Sequence, residues 1–165
     1  MGRKKWKMRG LRNLPSSIAI DTGPLLLPIT RERGWNKVRE LLEMHERGEI
    51  TIYVGLFNIC ELAYAMYRLG FDMELALKYA RLVYEKLEIV KDIRYTTWMS
   101  TLRVGAYEHK YNIPWGDISS AAVALTLNIP VIVLDEDKHF DHIALVSNKL
   151  GRTLQAIHII KDLRI

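Results

Sequence analysis

Short apolar runs recur along the chain, each followed by a stretch with helical spacing, and this alternation constrains the fold more than any other feature. The runs are SIAID (residues 17–21), ITIYVG (50–55), LEIV (87–90), PVIVLD (130–135) and LQAIHII (154–160). They are almost continuously apolar, as in strands buried on both faces. Between them the spacing predicts helices over residues 35–47, 58–69, 72–87, 95–111 and 117–127. Val38, Leu41, Leu42 and His45 share one face of the first helix, which Gly48 stops. Gly70 ends the second, and Asp72 caps the third. TGPLL, after the first run, reads as a turn. Strands alternating with helices give an α/β fold with a parallel sheet covered on both faces. In such sheets the functional crevice lies outside the carboxyl ends of the strands, near the switch in strand order.

A chain of 165 residues forms one domain with a sizeable core, and 49% apolar with 26% charged residues is ordinary globular composition. Cys60 is the only cysteine, which excludes an internal disulfide framework and suits a reducing cytoplasm. The longest apolar stretch, residues 121–134, is broken by Asn128 and Pro130, so no membrane span is expected. The N-terminus is basic without an apolar core, unlike a signal peptide. Its charge is concentrated. Arg3, Lys4, Lys5, Lys7, Arg9 and Arg12 precede the first acid, and the remaining 18 basic residues face 19 acidic ones. Residues 1–16 are therefore expected to be a flexible basic arm on a near-neutral domain of residues 17–165. Such an arm is either a solvated leader or a contact for a polyanion such as RNA.

Carboxylates cluster where the strands end. Asp21 closes the first run, and Asp135, Glu136 and Asp137 close the fourth, so both groups surface on one edge of the sheet. Glu61 falls on the first turns of the helix after the second strand, and Asp117 at the start of an Ala-rich helix. Each acid has a plain structural explanation. Glu61 is placed to close a capping box with Asn58, Asp117 to act as an N-cap, Asp21 to start a turn, and Asp135 and Asp137 to be solvated. Together those explanations weaken, because separate elements deliver negative charge to one edge. Like charges at close range are costly unless solvated or neutralised by a cation. Hard divalent cations, Mg²⁺ or Mn²⁺, prefer such oxygen ligands and serve phosphodiester cleavage.

The motifs IAIDTGPLL, NICELAYAMYRLG and IPWGDISSAAVALTLNIPVIVLDEDKHFDHI, in this order and spacing, resemble the PIN-domain nucleases. The closest likeness is to the toxin of VapBC-type toxin–antitoxin pairs, over residues 18 to 165. The resemblance implies a three-layer α/β PIN-type domain, with a central parallel sheet of about five strands flanked by helices. It implies Mg²⁺ or Mn²⁺ dependence, endoribonuclease activity on an RNA substrate, an antitoxin partner, a homodimer and a cytoplasmic setting. Its four acids fall on Asp21, Glu61, Asp117 and Asp137, with Asp21, Asp117, Asp135 and Asp137 as candidate metal ligands and Phe140 as the anchoring aromatic. Asp135 stands where a hydroxyl residue is usual, so Asp135 and Asp137 compete for the fourth place.

Rival readings are weighed on the same residues. A non-catalytic PIN-like scaffold binding RNA or protein would be expected to lose acids, and this chain keeps four. A phosphoryl-accepting domain would need a second Asp in IDTGPLL and a suitably placed Lys. Zinc at His139, Asp141 and His142 lacks the ligand spacing of a closed site. Trp98 is expected in the core, Trp115 at the substrate, and Cys60 as a small buried hydrophobe.

Overall fold

The computed structural model describes residues 9–135 and 138–164. At its centre is a parallel five-stranded sheet made of β2 (Ser17–Ile20), β3 (Thr51–Gly55), β4 (Glu88–Val90), β5 (Val131–Val133) and β6 (Ala156–His158). The strand order is β4-β3-β2-β5-β6. The chain thus steps outward from β2 to β4, then crosses back to lay β5 on the other side of β2. The switch in strand order falls between β2 and β5, and this is where a crevice opens in an open α/β sheet.

Side chains alternate across each strand and build a core on both faces. Ile18, Ile20, Ile52, Val54 and Ile132 enter one core with residues of α1 (Thr22–Thr30), α2 (Trp35–Glu46), α3 (Leu56–Arg68) and α4 (Met73–Lys86). Ala19, Val131 and Val133 enter the other, with α5 (Ile93–Glu108), α6 (Trp115–Leu127) and α7 (His139–Lys149). Every residue of α6 from Ile118 to Leu125 is buried. Its Ser119, Ser120, Ala121, Ala122 and Ala124 are small enough to let it pack between the sheet, α3, α5 and α7.

Several boundaries differ from those the sequence suggests. TGPLL is not a turn but the start of α1: Asp21 caps it, and Pro24 sits in the first turn, where a missing N–H costs nothing. Helix α5 begins at Ile93 rather than residue 95, because the Asp92 carboxylate accepts from the backbone N–H of Arg94 (2.9 Å) and Tyr95 (3.0 Å). Helix α6 begins at Trp115, so Asp117 is not its N-cap but lies in its first turn. The stretch before residue 17 makes contacts of its own. β1 (Arg9–Gly10) pairs in parallel with β7 (Leu163–Arg164), and Leu11 is buried in the first core. Lys37 Nζ clasps the returning chain through the carbonyls of Ile160 (3.3 Å) and Leu163 (2.5 Å). Residues 9–11 thus make contacts with the rest of the fold, while Arg3, Lys4, Lys5 and Lys7 lie outside the described residues. No described helix is long and apolar enough to cross a membrane.

Candidate active site

The crevice at the carboxyl ends of β2 and β5 is built on one buried polar network. Asn58, on the first turns of α3, is fully buried, as are Ser119 and Ser120 of α6. Such groups are tolerated only when hydrogen-bonded, and their bonds run in one direction. Tyr95 OH accepts from Phe57 N (3.4 Å) and lies 2.5 Å from Ser119 Oγ, which itself donates to Asn58 Oδ1 (2.6 Å). With its one proton so used, Ser119 must accept from Tyr95. Asn58 Nδ2 has three acceptors in reach, Ser120 Oγ (2.9 Å), Thr22 Oγ1 (3.0 Å) and the Gly116 carbonyl (3.0 Å). Ser120 Oγ in turn donates to Asp21 Oδ1 at 2.5 Å. The chain of donors ends on a carboxylate that is only 4% exposed.

Three of the expected acids stand around that network. Asp21 also accepts from Gly23 N (3.5 Å), its capping contact. Glu61 does not close a box on Asn58; its Oε2 accepts from Thr22 Oγ1 at 2.5 Å, tying α3 to the residue after Asp21. Glu61 also lies against Gly116, where any Cβ would overlap its carboxylate. Asp117, the next residue, has its Oδ2 2.7 Å from His139 Nδ1 at the start of α7. Gly55 serves the same region, since a Cβ there would run into Ser119, Tyr95 and Asn58. Asp21, Glu61 and Asp117 are thus gathered at one edge by β2, α3 and α6.

Asp135 is bonded to the backbone. Its Oδ1 accepts from the backbone N–H of Ile160 (2.9 Å) and Lys161 (3.2 Å), organising the turn between β6 and β7. Asp137 lies outside the described residues. Phe140 is buried in the second core, as an anchor would be.

The three carboxylates at this edge are oxygen donors, which suit a hard divalent cation better than zinc. Among the described residues, no group of three or more His, Cys, Asp and Glu is close enough to hold a metal ion, and each of the three acids is engaged by a protein partner. The zinc reading fails on its own residues as well. His139 is turned to Asp117, whereas His142 stacks on Tyr111 with ring centroids 4.2 Å apart. Trp98 packs against the second core as expected, but Cys60 is exposed rather than buried. Trp115 is exposed beside the site. The site residues missed from sequence are Thr22, Ser119, Ser120 and Tyr95, while Asn58 is expected only as a capping partner and His139 only as a zinc candidate. Two adjacent serines in an otherwise apolar, Ala-rich helix were the available signal, because a helix buried all round must satisfy them.

The family model described as PIN domain matches residues 18–146. The chain belongs to the PIN-domain family. Solved structures share the fold of this PIN domain. DNA-bound VapBC from Salmonella typhimurium is similar with a TM-score of 0.64 and 14% identity, over 88% of this chain and 99% of that one. VapBC2 from Rickettsia felis, bound to a DNA fragment from its promoter, gives 0.62 and 17%, over 86% and 98%. VapBC-1 from nontypeable Haemophilus influenzae gives 0.59 and 16%, over 88% and 99%. Comparison of this PIN domain with curated protein sequences finds no match.

Proposed function

We propose that this PIN domain is a divalent-metal-dependent endoribonuclease and the toxin of a toxin–antitoxin pair. The observation that carries the reading is the delivery of Asp21, Glu61 and Asp117 from three elements to one edge of the sheet, on a network that fixes them. Asp21, Asp117 and Asp137 would hold Mg²⁺ or Mn²⁺. Asp137 is preferred to Asp135 because the latter organises the β6–β7 turn. A bound ion of this kind activates water and stabilises the leaving oxygen in phosphodiester cleavage. Glu61, held by Thr22, orients the attacking water, and His139 keeps the Asp117 carboxylate in place.

The toxin assignment draws on the VapBC structures above, and an antitoxin is the partner it calls for. Exposed Tyr67, Leu69, Met73 and Leu77 on and between α3 and α4 suit a protein contact, whether antitoxin or second copy. A homodimer in the cytoplasm completes the reading, and light scattering on the purified chain tests the dimer. A second reading, a non-catalytic RNA-binding scaffold, is favoured by the engagement of each acid with a protein partner.

One experiment separates the two. Asp117→Asn removes the charge a hard cation needs while keeping the side-chain shape. The expected outcome is loss of cleavage of a mixed single-stranded RNA, by at least about a hundredfold on the scale of metal-assisted catalysis, with circular dichroism unchanged. Cleavage by the folded variant at the wild-type rate would overturn the role of Asp117, wild-type cleavage indifferent to chelator would overturn the metal dependence, and no cleavage by wild type in Mg²⁺ or Mn²⁺ would leave the scaffold.

A further inference from the structure

Along α3, Glu61 is bracketed by two exposed aromatic rings, Phe57 and Tyr64, and an arginine lies against Tyr64 and against Trp115, the ring beside Phe57. One turn before it stands Phe57, 40% exposed, with its ring centroid 6.3 Å from that of Trp115, which is 43% exposed. Arg103 Cζ lies 4.9 Å from the Trp115 ring centroid, and Arg103 Nη1 is fixed by the Ile113 carbonyl at 2.7 Å. After Glu61 stands Tyr64, 61% exposed, with Arg68 Cζ 5.8 Å from its ring centroid. Helical spacing puts residues 57, 61, 64 and 68 on one face. The Phe57–Trp115 pair bridges the starts of α3 and α6, the two helices that carry Glu61 and Asp117.

Core packing does not explain these rings. The aromatics buried within the core, Tyr95 and Phe140, are 2% exposed, and Phe57, Tyr64 and Trp115 belong to neither core cluster nor its partly buried surround. Open aromatic faces stack on bases of any sequence, and neighbouring guanidinium groups attract phosphates. Bases already stacked inside a duplex cannot use such faces.

We propose that Phe57, Trp115 and Tyr64, with Arg103 and Arg68, form a track for single-stranded nucleic acid that runs past the acid cluster. Bases stack on the Phe57–Trp115 pair on one side of Glu61 and on Tyr64 on the other. The proposal rests on reading the acid cluster as a nuclease site. It names the strandedness of the substrate and the residues that select it.

The test measures anisotropy of end-labelled single-stranded RNA, single-stranded DNA and duplex RNA of one sequence, in chelator so that nothing is cut. Wild type is compared with Trp115→Ala, Trp115→Phe and Tyr64→Ala, with folding checked by circular dichroism. Each alanine change is expected to weaken single-strand binding by about tenfold, the scale of one lost base stack. Trp115→Phe keeps a stacking face and should bind nearly as wild type. RNA and DNA single strands should lose affinity alike, since stacking does not read the 2′-hydroxyl. Equal binding by wild type and both alanine variants, equal losses on duplex, or no single-strand binding at all would overturn the track. Cleavage in Mg²⁺ is scored separately. Stacking losses without any cleavage would remove the nuclease and leave the track, whereas cleavage with unchanged KM in the alanine variants would do the reverse.

Discussion

Gly116 determines where the Glu61 carboxylate can lie. Because a Cβ at this position would overlap that carboxylate, Gly116→Ala must push the Glu61 side chain aside. The helix itself should tolerate the change, since Ala is favoured over Gly in helices by up to roughly 1 kcal/mol. Gly116→Ala is therefore expected to keep or raise the melting temperature while RNA cleavage falls at least tenfold. A folded variant with full activity would show that Glu61 is not needed where it lies. Asn58 presents the contrasting case. It joins Ser119, Ser120, Thr22 and the Gly116 carbonyl in a fully buried position. Removing it leaves several buried partners unsatisfied, each at a cost of about 1–3 kcal/mol. Asn58→Ala should lose about 3 kcal/mol in urea denaturation on that scale, and a loss below about 1 kcal/mol would show the hydroxyls re-pairing among themselves.

Two tyrosines join helices to one another and set an alkaline limit on the fold. Tyr79 of α4 donates to the Leu25 carbonyl of α1 at 2.7 Å, and burial pushes its pKa up to about 12. Tyr95 of α5 is raised as well, by burial above all, while its bonds to Ser119 and Phe57 work the other way. In the unfolded chain both titrate near about pH 10. A raised folded pKa means the native state holds the proton more tightly, so the stabilisation is whole below about 10 and is lost as pH climbs toward 12. Denaturation midpoints should be flat to about pH 9.5 and then fall, and Tyr79→Phe should shrink the fall. An unchanged alkaline slope in Tyr79→Phe would assign the loss elsewhere. Asp117 shows why element boundaries matter to the site. The sequence marks it as the residue opening a helix, but α6 starts two residues earlier, at Trp115. In the first turn its charge is worth only about 0.3–1 kcal/mol to the helix, so its structural and chemical roles separate cleanly. The sheet was legible because its strands are continuous apolar runs, and the positions of Asp21 and Asp117 because they stand at a strand end and in a first helical turn. Helix α1 was not, since Gly23 and Pro24 in TGPLL read locally as a turn, whereas the Asp21 cap and packing of Leu25 and Leu27 into the core override them. Nor was the Asn58 network legible, because its hydroxyls come from residues 36 to 62 positions away in the chain.

For the molecule as a whole, the ends are clasped and the charge is uneven. β1 and β7 join the two termini of the described chain beside the first core. A pairing of two residues on each strand carries no pattern that a sequence could reveal. The six early positive charges precede a body of nearly balanced charge, so an acid-rich crevice stands on an almost neutral domain. If Asp21 and Asp117 hold a divalent ion, the ion binds the folded chain and not the unfolded one, whose acids are scattered. Binding of this kind stabilises by RT ln(1 + [L]/Kd), about 2.7 kcal/mol at a hundredfold excess over Kd. For a domain of this size that is a rise of about 5–10 °C in melting temperature. Mg²⁺ or Mn²⁺ titrated into chelator-treated protein should produce the rise, and the same titration of Asp117→Asn should produce much less. Simple screening of surface charge would act on both proteins equally, and would be matched by a monovalent salt of the same ionic strength. Melting curves of wild type and variant that move together would therefore count against metal binding at this edge, whatever the cleavage assay shows.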